Sequence, residues 1–289
     1  MNTGAGTKAM VLPAAANFVS QGAGAPVVLV HGLAASLHDW DALVPVLVRS
    51  GYSTYAVDLL GHGDSPKPPM PLYRMDWLVE HFAAWLNGLV LPSAPVLIGH
   101  SLGGYVVLEY ARRFPERVRG LVVVDPYYTG SQLPLGARLA YAHPGVSSSA
   151  IRRAPAWLVR RVIDVTSVLM GHSTAGLHAL PEAVRAQAAL DYMRTAPGVY
   201  GVLQKRPDLT PHLESISTPT LVLWGRQDRT LAPGSFGSLV RRLPHAIGDS
   251  RATGHLPHQA EPEWFHAEVL SFLGQLPQPA AQPLPTPAG

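Results

Sequence analysis

Residues 96–107 read Val96-Leu97-Ile98-Gly99-His100-Ser101-Leu102-Gly103-Gly104-Tyr105-Val106-Val107. A serine stands among small residues, where an apolar run gives way to a helical period. The pattern G-x-S-x-G, here Gly99 to Gly103, has a chemical rationale: a serine on a sharp strand-to-helix corner exposes its hydroxyl as a nucleophile. Such a corner imposes an unfavourable φ on the serine. Glycines two residues to either side keep Cβ atoms out of the crowded strand–helix contact. With 27 Gly and 19 Ser in 289 residues, composition alone gives on the order of 0.2 matches to the pattern. The flanks therefore decide the reading.

Both flanks suit the corner. Ala94-Pro95-Val96-Leu97-Ile98 is a short apolar run between Pro and Gly, as a buried parallel strand requires. After Ser101, the residues Leu102, Tyr105, Val106 and Tyr110 recur at helical spacing until Pro115 ends the run. A helix N-terminus beside Ser101 also favours a developing negative charge.

Similar alternation runs along the chain. Strands are predicted at Pro26–Val30, Ser53–Val57, Gly120–Val124, Thr220–Trp224 and near Ala246-Ile247. Helices are predicted at Leu37–Arg49, Met75–Leu91, Phe236–Leu243 and Pro262–Leu276. This order specifies an α/β fold with a mainly parallel sheet flanked by helices, and ligands bind beyond the carboxyl ends of such strands. The interval from Tyr127 to His212 lacks strand runs and is too long for a loop. It reads as a helical cap (127–212) inserted between two parts of one core, 1–126 and 213–275. The Pro/Ala-rich stretch 276–289 reads as a disordered tail.

Only 14% of residues are charged and 47% are hydrophobic, which argues for a packed core. The absence of cysteine excludes disulfides, thiolate metal sites and a cysteine nucleophile. The cap interval carries nine Lys/Arg against four Asp/Glu, too weak an excess to point to nucleic acid. No run approaches the ~18 apolar residues of a membrane span. Lys8 followed by Ala9–Ala16 faintly resembles a signal sequence, but the run is short and broken by Pro13. An opening strand pair and a cytoplasmic location are the expectations.

A serine needs a base, and the base an orienting carboxylate. On this kind of sheet the chain order is Ser, then Asp or Glu, then His. Asp228 follows the strand ending at Trp224, on the edge where ligands bind; Asp125, directly after Val124, is its rival. His255 follows the next strand behind Gly254, and His258 is the runner-up base. Two backbone N–H groups are expected to form an oxyanion hole. One belongs to Leu102. The other belongs to Leu33 in the loop His31-Gly32-Leu33-Ala34-Ala35-Ser36. His31, preceding the serine at a strand end, reads as structural.

Taken together, "VVLVHGLAAS", "DLLGHGDSP", "GHSLGG", "LVLWGRQDRTLAP" and "GHLPHQAEPEWF" resemble the α/β-hydrolase superfamily along most of the chain. That resemblance implies an eight-stranded-type sheet with an inserted cap. It implies Ser101 as nucleophile, Asp228 as acid and His255 as base, with no cofactor and no metal. It also implies that Asp58, Gly61, His62 and Ser65 build a structural turn. Haloalkane dehalogenases and soluble epoxide hydrolases of this fold carry aspartate at the elbow, where this chain has Ser101; proline iminopeptidases show a GGSWG-like elbow.

The expected partner is a small-molecule ester with an apolar acyl or aryl group. The alternatives are a C–C hydrolase of vinylogous diketones, perhydrolase activity on the same residues, and a ligand-binding member of the fold. Diketone hydrolases often carry HGxGPG where this chain has HGLAAS. Within the cap, Leu158, Val162, Val165 and Leu169 form an apolar stripe expected to pack on the main domain, with Arg160 and Asp164 opposite at i, i+4. Tyr127, Tyr128, Tyr141, Trp157 and Tyr192 are candidate pocket walls.

Overall fold

The computed structural model describes residues 14–135, 154–169, 180–205 and 207–277. Most of the Lys8–Ala16 stretch, Tyr141 and the tail beyond residue 277 lie outside the described residues. Seven strands form one sheet: β1 (Phe18–Gln21), β2 (Ala25–Val30), β3 (Tyr52–Val57), β4 (Val96–His100), β5 (Gly120–Val124), β6 (Thr220–Gly225) and β7 (Ala246–Arg251). Their spatial order is β1-β3-β2-β4-β5-β6-β7. Only β1 runs antiparallel, against β3; the other pairs are parallel. Seven strands thus lie among the described residues, against eight in the expected pattern.

The central strands β4, β5 and β6 are buried along their whole length, as near-continuous apolar runs covered on both faces must be. The helices are α1 (Val44–Arg49), α2 (Met75–Gly88), α3 (Leu102–Arg113), α4 (Ala156–Leu169), α5 (Glu182–Arg194), α6 (Ser235–Arg242), α7 (Pro257–Ala260) and α8 (Pro262–Gln275). One face of the sheet buries Val28, Val30, Leu97 and Val123 against α2, α3 and α6. The other buries Val27, Leu29, Ile98 and Val122 against α1 and α8. The period-2 alternation of strand side chains makes this division.

The predicted helix Leu37–Arg49 is broken in two. A 3-10 turn, Leu37–Trp40, is capped by Ser36, and α1 restarts at Val44. Pro45 explains the break: without an N–H it cannot continue a ladder from the preceding turn, yet it fits the first turn of a new helix.

Between β5 and β6 the described residues are helical, with α4, α5 and 3-10 turns at Pro197–Gly201 and Thr210–Ser215. Contrary to expectation, the stripe of α4 faces outward: Leu158, Val162 and Val165 are 40–53% exposed. Asp164 and Val159 point inward instead. The physical reason is an ion pair between helices. Asp164 accepts from Arg185 Nη1 at 2.9 Å, and Arg160 pairs with Glu182 rather than with Asp164. Asp191 of α5 accepts from Ser36 Oγ at 2.9 Å, tying this helix to the loop after β2.

Candidate active site

At the end of β4, Ser101 has φ 50° and ψ −112°, a left-handed backbone that costs a non-glycine residue about 1–3 kcal/mol. Surrounding bonds hold it there. Its N–H donates to Val124 O at 2.9 Å, and its carbonyl accepts from Tyr127 N at 3.0 Å. The flanking glycines are sterically required. A Cβ on Gly99 would lie 2.5 Å from Gly103 O, and one on Gly103 would lie 2.3 Å from Val30 O.

Three sequence-predicted side chains meet here. His255 Nε2 lies 2.9 Å from Ser101 Oγ, and its Nδ1 lies 2.8 Å from Asp228 Oδ2. With Nδ1–H donating to the carboxylate, Nε2 presents a lone pair to the serine hydroxyl. Asp228 Oδ1 accepts from Thr230 N at 2.7 Å and Leu231 N at 3.0 Å. Burial alone would raise the pKa of Asp228. The neighbouring His255 and these N–H donors hold it below the usual carboxylate range.

Asp125 is placed differently. It is fully buried with φ 40°, and its Oδ1 accepts only from Gly225 N, at 3.0 Å. Its Oδ2 has no hydrogen-bond partner. Burial, and then the charge of Asp228, push its pKa well above the usual carboxylate range. The two neighbouring carboxyls are thus pushed in opposite directions. His258 does not reach Ser101; its Nε2 lies 3.2 Å from Asp39 Oδ1.

The two expected oxyanion donors lie on the wall of one cavity. Leu33, Leu102, Ser101 and His255 all line a space of about 670 Å³, within the range of small-molecule sites. Leu102 opens α3, so its N–H has no acceptor within the helix. Gly32 brings the Leu33 loop against the elbow: a Cβ there would lie 2.8 Å from His100 Nδ1 and 3.4 Å from Ser101 Cβ. His31 bonds backbone, accepting from Leu59 N at 3.0 Å. Asp58 knits a turn, accepting from Leu37 N, Asp64 N and Asn17 Nδ2 at 2.7–2.8 Å.

Of the candidate pocket walls, Tyr127 and Tyr192 line this cavity. Tyr128 is buried elsewhere, its hydroxyl donating to Ser235 O at 3.1 Å. Trp157 is 67% exposed and faces solvent. Sequence reasoning missed Asp39, His100, Arg185, Asp191 and Gln259, all of which also line the cavity. Among the described residues, two groups offer three possible metal-ligand atoms within 4.8 Å of one another: Asp39, His100 and His258, and Asp125, Asp228 and His255. In the second group, the Asp228–His255 contact takes up ligand atoms of both residues. No helix among the described residues is long and apolar enough to cross a membrane.

Comparison with known proteins agrees with this architecture. Pimeloyl-[acyl-carrier protein] methyl ester esterase of Aeromonas hydrophila is 28% identical over 264 residues, covering 88% of this chain and 97% of that protein. Bifunctional epoxide hydrolase 2 of Rattus norvegicus is 32% identical over 150 residues, which are 47% of this chain and 27% of that protein. Among solved structures, a thermophilic esterase from Thermogutta terrifontis superposes with a TM-score of 0.73 at 26% identity, over 90% of this chain and 93% of that one. The family described as alpha/beta hydrolase fold matches residues 25–261. A match over that span, on a parallel sheet with a strained serine at the end of its central strand, means that the chain belongs to the α/β hydrolase fold family.

Proposed function

We propose that this protein is a serine hydrolase that cleaves carboxylic esters through an acyl-enzyme. The observation that carries the reading is the contact chain Ser101 Oγ–His255 Nε2–His255 Nδ1–Asp228 Oδ2, at 2.9 and 2.8 Å. His255 takes the proton of Ser101 as its Oγ attacks the ester carbonyl. The tetrahedral oxyanion is bound by the N–H groups of Leu33 and Leu102. Collapse breaks the C–O bond, and His255 hands its proton to the leaving alkoxide. Water, deprotonated by His255, then releases the acid and restores Ser101. Each oxyanion donor supplies about 3 kcal/mol of transition-state stabilisation.

In the same reading, segment 127–212 serves as a cap over the core segments 1–126 and 213–275. It supplies Tyr127, Tyr192 and α5 to the cavity wall and no reacting group. Apolar groups such as Leu133, Val184, Leu203 and Leu231 line the same space, so the acyl or aryl part of the substrate is apolar. The esterase relatives lend weight to an ester over a diketone substrate.

The test is a panel of p-nitrophenyl esters from acetyl to decanoyl, run beside a vinylogous diketone. Turnover of esters with a burst of nitrophenol supports the reading. Turnover of the diketone alone, or a single slow release from a binding protein, refutes it.

A further inference from the structure

A second hydrogen-bonded chain lies behind His255, built from residues that the proposed reaction does not use. His100 immediately precedes the elbow serine. Its Nε2 is 2.9 Å from the carbonyl oxygen of His255, and its Nδ1 is 3.2 Å from Asp39 Oδ2. Asp39 Oδ1 also accepts from Gln259 Nε2 at 2.6 Å and faces His258 Nε2 at 3.2 Å. The side chains of Asp39 and His100 are each 5% exposed, and that of His258 is 2% exposed.

The ring of His100 faces acceptors on both sides, the carbonyl oxygen of His255 and the carboxylate of Asp39. His258 is not in the same position, because its Nδ1 has no partner. One N–H, on Nε2, satisfies it, and burial pushes its pKa below the ordinary imidazole range. Burial would raise the pKa of Asp39, yet His258 and the hydrogen bonds from both histidines hold it well below the carboxylate range. Two further titratable rings face His100, those of His258 and His255, 4.6 and 5.0 Å away between centroids. Further out, Asp191 on α5 repels the charge of Asp39.

We propose that His100 and Asp39 form a buried hydrogen-bonded pair that grips His255 by its main chain and sets the imidazole over Ser101. This inference rests on the esterase reading above, in which His255 is the base. His100 and Asp39 are positioning residues: His100 touches the backbone of His255, Asp39 holds His100, and neither touches the reacting atoms. The arrangement couples the two sides of the site. Asp39 belongs to the 3-10 turn that follows the Leu33 loop, and His100 is the last residue of β4. His255 lies beyond β7. A shift of about 1 Å at the base costs about a hundredfold in rate, which is the scale on which such a grip matters.

The experiment uses the full chain labelled with 15N-histidine, and a proton–nitrogen correlation of the imidazoles assigned with His100→Gln. In Asp39→Asn, the imidazole resonances of His100 are expected to shift. The same variant is expected to lose about a hundredfold in kcat for p-nitrophenyl acetate with KM within about twofold, while circular dichroism is unchanged. It is also expected to shift the His255 Nδ1–H resonance.

A His100 spectrum unchanged in Asp39→Asn overturns the pairing. So does a His100 spectrum that changes on treatment with EDTA, which would assign Asp39, His100 and His258 to a divalent cation. Wild-type kcat in Asp39→Asn overturns the positioning role. Failure of the wild type to turn over esters, or to be labelled at Ser101 by a fluorophosphonate, refutes the esterase reading instead. The His100 and His255 resonances in Asp39→Asn still decide the pairing and its grip in that case. If His100→Gln does not fold, the kcat of Asp39→Asn decides the same question.

Discussion

Replacing Asp228 by asparagine tests the proposed reaction at its most orientation-dependent point. The substitution preserves volume, and the structure dictates how the amide must sit. Oδ1 of Asp228 accepts from the N–H groups of Thr230 and Leu231, so the amide oxygen of asparagine takes that position. Its NH2 then faces Nδ1 of His255, 2.8 Å away where Oδ2 now lies. Two donors cannot share that contact. His255 responds by moving its proton to Nε2, and Nε2 then has no lone pair for the hydroxyl of Ser101. The imidazolium formed during attack also loses its counter-charge. Together these effects are expected to lower kcat by about 10⁴-fold, or about 5.5 kcal/mol of barrier, with little change in KM. The assay is steady-state hydrolysis of p-nitrophenyl butyrate, with circular dichroism and a urea titration to establish folding. A folded Asp228→Asn retaining more than about a tenth of wild-type kcat refutes the assignment. If Asp125→Asn proves the more severe of the two, the acid is Asp125.

Ser101→Gly should abolish turnover and fluorophosphonate labelling, yet gain about 1 kcal/mol in stability by urea titration, because φ 50° is strained for serine and not for glycine. Gly103→Ala should lose about 3 kcal/mol or fail to fold, since the new Cβ meets the backbone oxygens of Val30 and His31 at 2.3 and 2.5 Å; near-native stability would show that the elbow has room. Ala188→Phe places a ring on the cavity wall and should lower kcat/KM for decanoyl against acetyl esters by about tenfold or more, whereas Trp157→Ala, on an exposed side chain, should leave that ratio unchanged. Asp125→Asn should change stability in a pH-dependent way. The folded pKa of Asp125 is raised by burial and by Asp228, so the stability of the wild type is full below the unfolded pKa of about 3.9. It then falls by about 1.4 kcal/mol per pH unit until the folded pKa is passed. The variant should therefore gain on the wild type as pH rises above about 4, and a difference that stays flat with pH refutes a buried neutral acid.

The parts of the site that were legible in the sequence are those specified by short local patterns. Ser101 is flanked by glycines that the corner needs, and Asp228 and His255 each follow a strand within a few residues. Backbone geometry at a strand end depends on its immediate neighbours, so a single stretch of chain reveals it. The Asp39–His100–His258 cluster is a different case. His100 looks like filler in the elbow motif, and Asp39 lies 61 residues away from it. Nothing local marks either as half of a pair. The same holds for Asp191 and Ser36, 155 residues apart. The face presented by α4 could not be read from its own apolar stripe, because the Asp164–Arg185 ion pair turns the helix the other way. Pro45, in contrast, was visible in the sequence, and its missing N–H already disfavours an unbroken helix from Leu37 to Arg49.

Three buried carboxylates around Ser101 show how neighbours, rather than burial, set the charge. Burial raises the pKa of Asp39, Asp125 and Asp228 alike. Asp228 and Asp39 each gather three hydrogen-bond donors within 3.2 Å, among them a histidine, and are held below the usual carboxylate range. Asp125 gathers one backbone N–H and faces a like charge, and is pushed well above that range. A neutral acid cannot stabilise an imidazolium as a counter-ion, and ionising Asp125 would place two negative charges side by side in a dry interior. The strand ends after β5 and β6 are adjacent in the sheet and equally near the functional edge. The N–H groups of Thr230 and Leu231, held by the turn after β6, are what make Asp228 and not Asp125 the carboxylate suited to His255.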